Sequence, residues 1–170
     1  MKKGVEPAEM VQMGLRNSST GDRGERVFFM RITDYVRFDL PLFRTAFLGD
    51  KWPNLDYLIE VIEGESARPF GFVQVRSTRD ALNTVGRFIP MILSKRESTD
   101  LRKYKGPVYL AAVHEPTEQC YLKALHVGPP SAISRVSLQN VLNRENLLRL
   151  GNELSLYWNR PKIPPRTFFK

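Results

Sequence analysis

Residues 55–78 read LDYLIEVIEGESARPFGFVQVRST. Leu55 to Ile62 roughly alternates apolar and polar side chains, the period-two signature of a half-buried strand. Gly64-Glu65-Ser66 is turn chemistry. Phe70 to Val75 is a second strand. A short polar connection joins the two runs, so an antiparallel hairpin is the default arrangement. Side chains alternate along a strand, which puts Gln74 and Arg76 on one face. A hairpin also brings the start of one strand beside the end of its partner, here Asp56 beside Gln74.

Downstream, Arg87 to Leu93 reads as a third strand, and Glu97 to Lys105 as a charged helix capped by Ser94 or Ser98. Pro107 to Val113 (PVYLAAV) is nearly continuous in apolar residues, as expected of a central strand buried on both faces. His114 to Thr117 makes a turn, and Gln119 to His126 the next strand. Gly128-Pro129-Pro130 breaks the chain before a long amphipathic helix from Asn143 to Trp158. Upstream, Gly21 to Val36 predicts a helix, with Asp22 as its cap and Glu25 at capping-box spacing. Residues 41–54 carry Pro41, Gly49 and Pro53 and predict a long loop holding a short strand. Residues 1–20 form a flexible lead, 21–160 one domain, and 161–170 an extended basic tail. The order helix, strands, helix implies an α/β fold with a mixed central sheet of four to five strands flanked by helices.

The chain has 170 residues, enough to bury a core in one domain, with 42% apolar and 26% charged residues. No apolar run is long enough to span a membrane. The opening MKKGVEPAEM has no apolar stretch behind its lysines, so a cytoplasmic location is expected. The lone Cys120 is expected as a buried small hydrophobe. A net charge of +8 points to a polyanionic partner, a phosphate backbone first. Arg79, Arg87, Lys95 and Arg96, with Arg102, Lys103 and Lys105, follow the hairpin closely and are the candidate backbone-tracking residues; the bland alternative is a solvated face. Trp52 and Phe43 are either base-stacking residues or apolar loop anchors. His114 and His126 lack zinc-ligand spacing. Neither a nucleophile elbow nor a phosphate-binding glycine loop occurs.

Hydrolysing a phosphodiester calls for a hard cation with oxygen ligands. Asp56 supplies a carboxylate, Gln74 a side-chain carbonyl and Val75 a backbone carbonyl. Arg76 places a cation where charge grows on phosphorus, and Glu25 can hold a water from the first helix. Each has a structural alternative: Asp56 as a turn cap, Gln74 as a buried amide, Arg76 as a snorkelling strand end, Glu25 as a helix-start acid.

Gly24-Glu25, Leu55-Asp56 and Phe72-Val73-Gln74-Val75-Arg76-Ser77-Thr78, taken together, resemble the PD-(D/E)XK, or restriction-endonuclease-like, nuclease superfamily. More narrowly, over about residues 21–126, the chain is similar to the bacterial family called domain of unknown function 4365, in which a VQVKST-like strand is typical. The resemblance implies a restriction-endonuclease-like fold, Asp56 and Gln74 as metal ligands, Glu25 as the helix acid, and magnesium or manganese as cofactor. It implies a DNA endonuclease; a homodimer or larger protein assembly is a separate expectation, since nucleases that cut two strands often pair. Arg76 departs from the family's lysine. Arginine is bulkier, stays protonated and prefers bidentate phosphate contacts. The alternative is therefore a nuclease fold that binds nucleic acid, or a protein partner, without cutting.

Overall fold

The computed structural model describes residues 21–37, 40–49, 52–62, 68–159 and 166–170. Helix α1 covers residues 21–32. It stops four residues short of the sequence expectation, and local polar groups explain why. Thr33 Oγ1 donates to the Phe29 carbonyl at 2.7 Å, and Asp34 Oδ1 accepts the Tyr35 N–H at 2.8 Å. Such bonds offer the backbone an alternative to the helix. Residues 21 and 22 are already helical, so Asp22 lies inside the helix and does not cap it. A small ribbon follows, β1 (Tyr35–Arg37) paired with β2 (Leu40–Pro41).

The remaining elements are β3 (Phe43–Phe47), β4 (Tyr57–Val61), β5 (Phe70–Thr78), β6 (Phe88–Leu93), α2 (Lys95–Leu101), β7 (Val108–His114), β8 (Gln119–Ala124), β9 (Ile133–Ser137) and α3 (Arg144–Asn159). The five-stranded central sheet runs β3-β4-β5-β7-β8. It is mixed: β4 is antiparallel to β3 and β5, β5 is parallel to β7, and β7 is antiparallel to β8. The expected hairpin and the α/β sheet flanked by helices are both present. All seven residues of β7 are buried, as its apolar run requires.

Two apolar layers cover the sheet. On one face Tyr57, Ile59 and Val73 pack with Phe28 and Ile32 of α1 and Leu150 and Leu154 of α3. On the other, Phe72, Leu110 and Ala112 pack with Ile89, Val136 and Leu101. Because side chains alternate, Gln74 and Arg76 follow Phe72 onto this second face.

Tertiary pairing decided the remaining differences. Residues 43–47 form a full edge strand, paired along their length with β4. β6 leaves the central sheet and pairs with β9, a strand with no counterpart among those expected. The described end of the tail is docked: Phe169 is wholly buried and its carbonyl accepts the Ala124 N–H at 2.8 Å. The expected lead at 1–20 lies outside the described residues. Among the described residues, no helix is long and apolar enough to cross a membrane.

Candidate functional site

β4 begins at Tyr57, paired with Val73, so Asp56 stands one residue ahead of the strand and is not paired with Gln74 as the sequence pattern suggested. The Asp56 backbone is held from two sides. Its N–H donates to the Val73 carbonyl at 3.0 Å, and its carbonyl accepts the Leu48 N–H at 2.8 Å. Its side chain turns to the edge of β5, where Oδ2 accepts the Val75 N–H at 2.6 Å. The carboxylate thus takes the place of a backbone partner for Val75. The N–H and C=O of one strand residue point to the same edge, so the Val75 carbonyl faces the same gap.

Glu25 reaches this place from α1. With Asp56 it lines a cavity of about 270 Å³, whose wall includes Phe47, Trp52 and Asn54. Gly24 allows the approach: a Cβ there would meet Ser77 Cβ at 2.7 Å. Only glycine lets α1 lie this close to β5, one residue from Glu25.

Electrostatics follow from the crowding. Burial raises the Asp56 carboxyl above its ordinary value, against the lowering effects of the Val75 hydrogen bond and the Arg76 charge. Glu25 is raised by burial first, then by the charge of Asp56. The Tyr57 phenol is pushed up to about 12 by burial, with Glu25 and Asp56 adding to it. Two carboxylates in one partly buried space favour a cation or a proton between them.

Gln74 and Arg76 are placed differently. Gln74 is 5% exposed and is not among the residues lining the cavity. Its Oε1 has no hydrogen-bond partner among the described residues, although a buried amide normally has one. Arg76 donates to Glu97 Oε1 at 2.6 Å. Glu97 belongs to a capping box that starts α2. Ser94 Oγ accepts the Glu97 N–H at 3.2 Å, and Glu97 Oε2 accepts the Ser94 N–H at 2.8 Å. These Ser94 bonds, and then Arg76, hold the Glu97 carboxyl below its usual range. Sequence reasoning missed Glu97 as the partner of Arg76. The Ser-x-x-Glu spacing at 94–97 marks a capping box but does not reveal what the free side of the carboxylate meets.

The structure therefore brings Asp56, Val75 and Glu25 together, sets Arg76 within electrostatic reach of Asp56, and leaves Gln74 buried on the α2 face. Among the described residues, no three His, Cys, Asp or Glu side chains gather as a metal group. The candidate contact residues are spread out. Exposed Lys95 and Arg96 lie in the turn of α2 that carries Glu97 to Arg76. Arg79 follows β5 and pairs with the buried Glu115 at 2.8 Å. Arg87, with a left-handed φ of 56°, sits at the other end of β6, about 20 Å from Leu93 at the usual rise per strand residue.

Phe43, a stacking candidate, is 1% exposed in the core and cannot reach a ligand. Trp52 remains accessible. His114 is buried, its Nδ1 2.7 Å from Thr117 Oγ1. Cys120 is buried as expected, and burial raises its thiol pKa.

No family model, curated protein or solved structure matches this chain.

Proposed function

We propose that the chain is a divalent-metal-dependent nuclease of the restriction-endonuclease-like class, acting on DNA phosphodiester bonds. The observation that carries this reading is Asp56, clasped to the Val75 N–H at 2.6 Å while lining one cavity with Glu25. The donors suit a hard cation. The Asp56 and Glu25 carboxylates line one cavity, with the Val75 backbone bonded to Asp56 beside it, while Gln74 Oε1, a buried acceptor without a partner among the described residues, stands outside the cavity lining. Magnesium or manganese bound there supplies Lewis-acid polarisation of the phosphate.

The protein groups have distinct tasks. The Val75 N–H fixes the rotamer of Asp56, so the carboxylate is aimed before any ligand arrives. Glu25 completes the negative wall from α1. Arg76 carries a planar guanidinium, suited to holding a phosphate oxygen rather than to moving a proton. Asp56→Ala is expected to lower magnesium-dependent cleavage of plasmid and linear DNA by at least about 100-fold, the scale of losing one electrostatic stabiliser at a reacting centre. Cleavage that survives the substitution removes Asp56 from the reaction.

One observation favours a second reading, a module that binds nucleic acid without cutting it. Arg76 is drawn to Glu97 and is not a lysine. If the wild type is inert and Arg76→Lys nicks DNA, the binding module is the correct description. If both cut, it is not.

A further inference from the structure

The cavity at the start of β4 has two ends of different chemistry. Glu25 and Asp56 form an acidic end, and Phe47 and Trp52 an aromatic wall. These two rings are 61% and 42% exposed, a large apolar area to leave in water beside two carboxylates. Both are braced from behind. Phe47 packs edge-on to Tyr57 at 5.4 Å. Trp52 stacks on Phe72 at 5.9 Å with 28° between the planes, and lies 5.8 Å from Tyr104. The loop is pinned as well. Leu48 N–H donates to the Asp56 carbonyl, and Tyr104 OH donates to the Pro53 carbonyl at 2.8 Å. Gly49, at φ 55°, turns the chain over the Phe47 ring where a Cβ would stand 3.3 Å from it. The wall is therefore preorganised and loses little freedom when a ligand arrives.

We infer that this cavity receives one unpaired nucleobase stacked on Trp52, so that the substrate is single-stranded or locally unpaired nucleic acid. The inference rests on the nuclease reading for the presence of nucleic acid, and names the strand state. A volume of about 270 Å³ falls just below the range for drug-sized ligands and suits one planar ring system. Every base offers a π-face, so stacking is tolerant of sequence. A base inside a duplex has both faces covered and must leave the stack to present one. The exocyclic amino groups of cytosine, adenine and guanine can donate to the Asn54 amide oxygen or to the acidic end. Thymine lacks an exocyclic amino group and offers its ring N3–H instead, so each of the four bases has a donor for this end. Aromatic rings beside carboxylates also suit an organic cation, but a net charge of +8 draws polyanions and repels cations.

Fluorescence tests the inference directly. The chain has two tryptophans. Trp158 packs on Phe70 and donates to its carbonyl, away from the cavity, so Trp158→Phe leaves Trp52 as the sole emitter. This variant is titrated with a single-stranded oligonucleotide, with the same strand annealed to its complement, and with tetramethylammonium, using calcium in place of magnesium to keep DNA uncut. The expected result is saturable quenching by the single strand, at least fivefold tighter than by the duplex. Trp52→Ala should weaken single-strand binding by about 5- to 150-fold, the span for loss of one base–aromatic stack, and Trp52→Phe should restore most of it. Equal affinity for duplex, binding indifferent to Trp52→Ala, or quenching by tetramethylammonium alone overturns the inference. Asp56-dependent cleavage of duplex without quenching sinks the base slot and leaves the nuclease standing. Single-strand quenching without any cleavage sinks the nuclease and leaves the slot.

Discussion

Asp56 makes three hydrogen bonds within a few ångströms of one another, through its N–H, its carbonyl and its side chain, yet its charge is costly where it sits. Burial raises its pKa despite the Val75 bond and Arg76. A group raised in the folded state favours folding in its protonated form, and that contribution is lost as pH rises through the folded pKa. At neutral pH the ionised Asp56 therefore weakens the fold, a stability cost at a position suited to function. Asp56→Asn keeps an oxygen to accept the Val75 N–H and removes the charge. Its urea midpoint at pH 8 is expected to exceed that of the wild type, and the gap should close as pH falls through the raised Asp56 pKa, while cleavage is lost throughout. A midpoint lower than wild type at pH 8 would show that the carboxylate is held by more than the Val75 bond. Gln74 makes the complementary point about legibility. An amide in an apolar strand was readable as an anomaly, but that its Oε1 stays unpartnered among the described residues depends on the tertiary packing over that face, which the local pattern does not encode.

At the scale of elements, the contact of α1 with β5 positions the acids. Alanine is the better helix former by about 1 kcal/mol, so propensity alone favours Gly24→Ala. The Cβ contact of 2.7 Å with Ser77 points the other way, because forcing extra atoms into a packed contact costs about 1–3 kcal/mol. Net destabilisation is expected in urea melts, with recovery when Ser77→Gly is added. A neutral or stabilising Gly24→Ala would mean that α1 lies farther from the sheet and that Glu25 is not held at the cavity. Elements with strong local signals were legible: the β4–β5 hairpin, the apolar β7 and the amphipathic α3. The length of β3 and the existence of β9 were not, because both depend on partner strands. The end of α1 was misjudged because apolar residues continue through Val36 while Thr33 and Asp34 divert the backbone.

Across the whole molecule, the net charge of +8 is the feature by which the proposed nucleic-acid binding would respond to salt. Lys95 and Arg96 sit on the turn of α2 next to Arg76 and Glu97, whereas Arg87 lies at the far end of β6. If the phosphate backbone passes the site, Lys95→Ala with Arg96→Ala should reduce the magnitude of the slope of log K against log salt by about 1.4–1.8, at roughly 0.7–0.9 per phosphate contact. Arg87→Ala should leave the slope unchanged. A slope equally sensitive to both changes would describe a diffuse field rather than a track past the cavity.

The sequence by itself determined the strands around Asp56 and Gln74, the buried central strand, the basic charge and the candidate residues, because each depends on period, composition or short spacing. Only the tertiary structure decided which of those residues meet. Glu25 and Asp56 share a cavity because Gly24 lets a helix close on β5. Arg76 meets Glu97 because a capping box turns that carboxylate toward the sheet. Phe43 is buried while Trp52 is exposed, since an edge strand takes one ring into the core and a pinned turn holds the other outside. These are contacts between segments distant in sequence, set by packing in three dimensions that no local pattern carries.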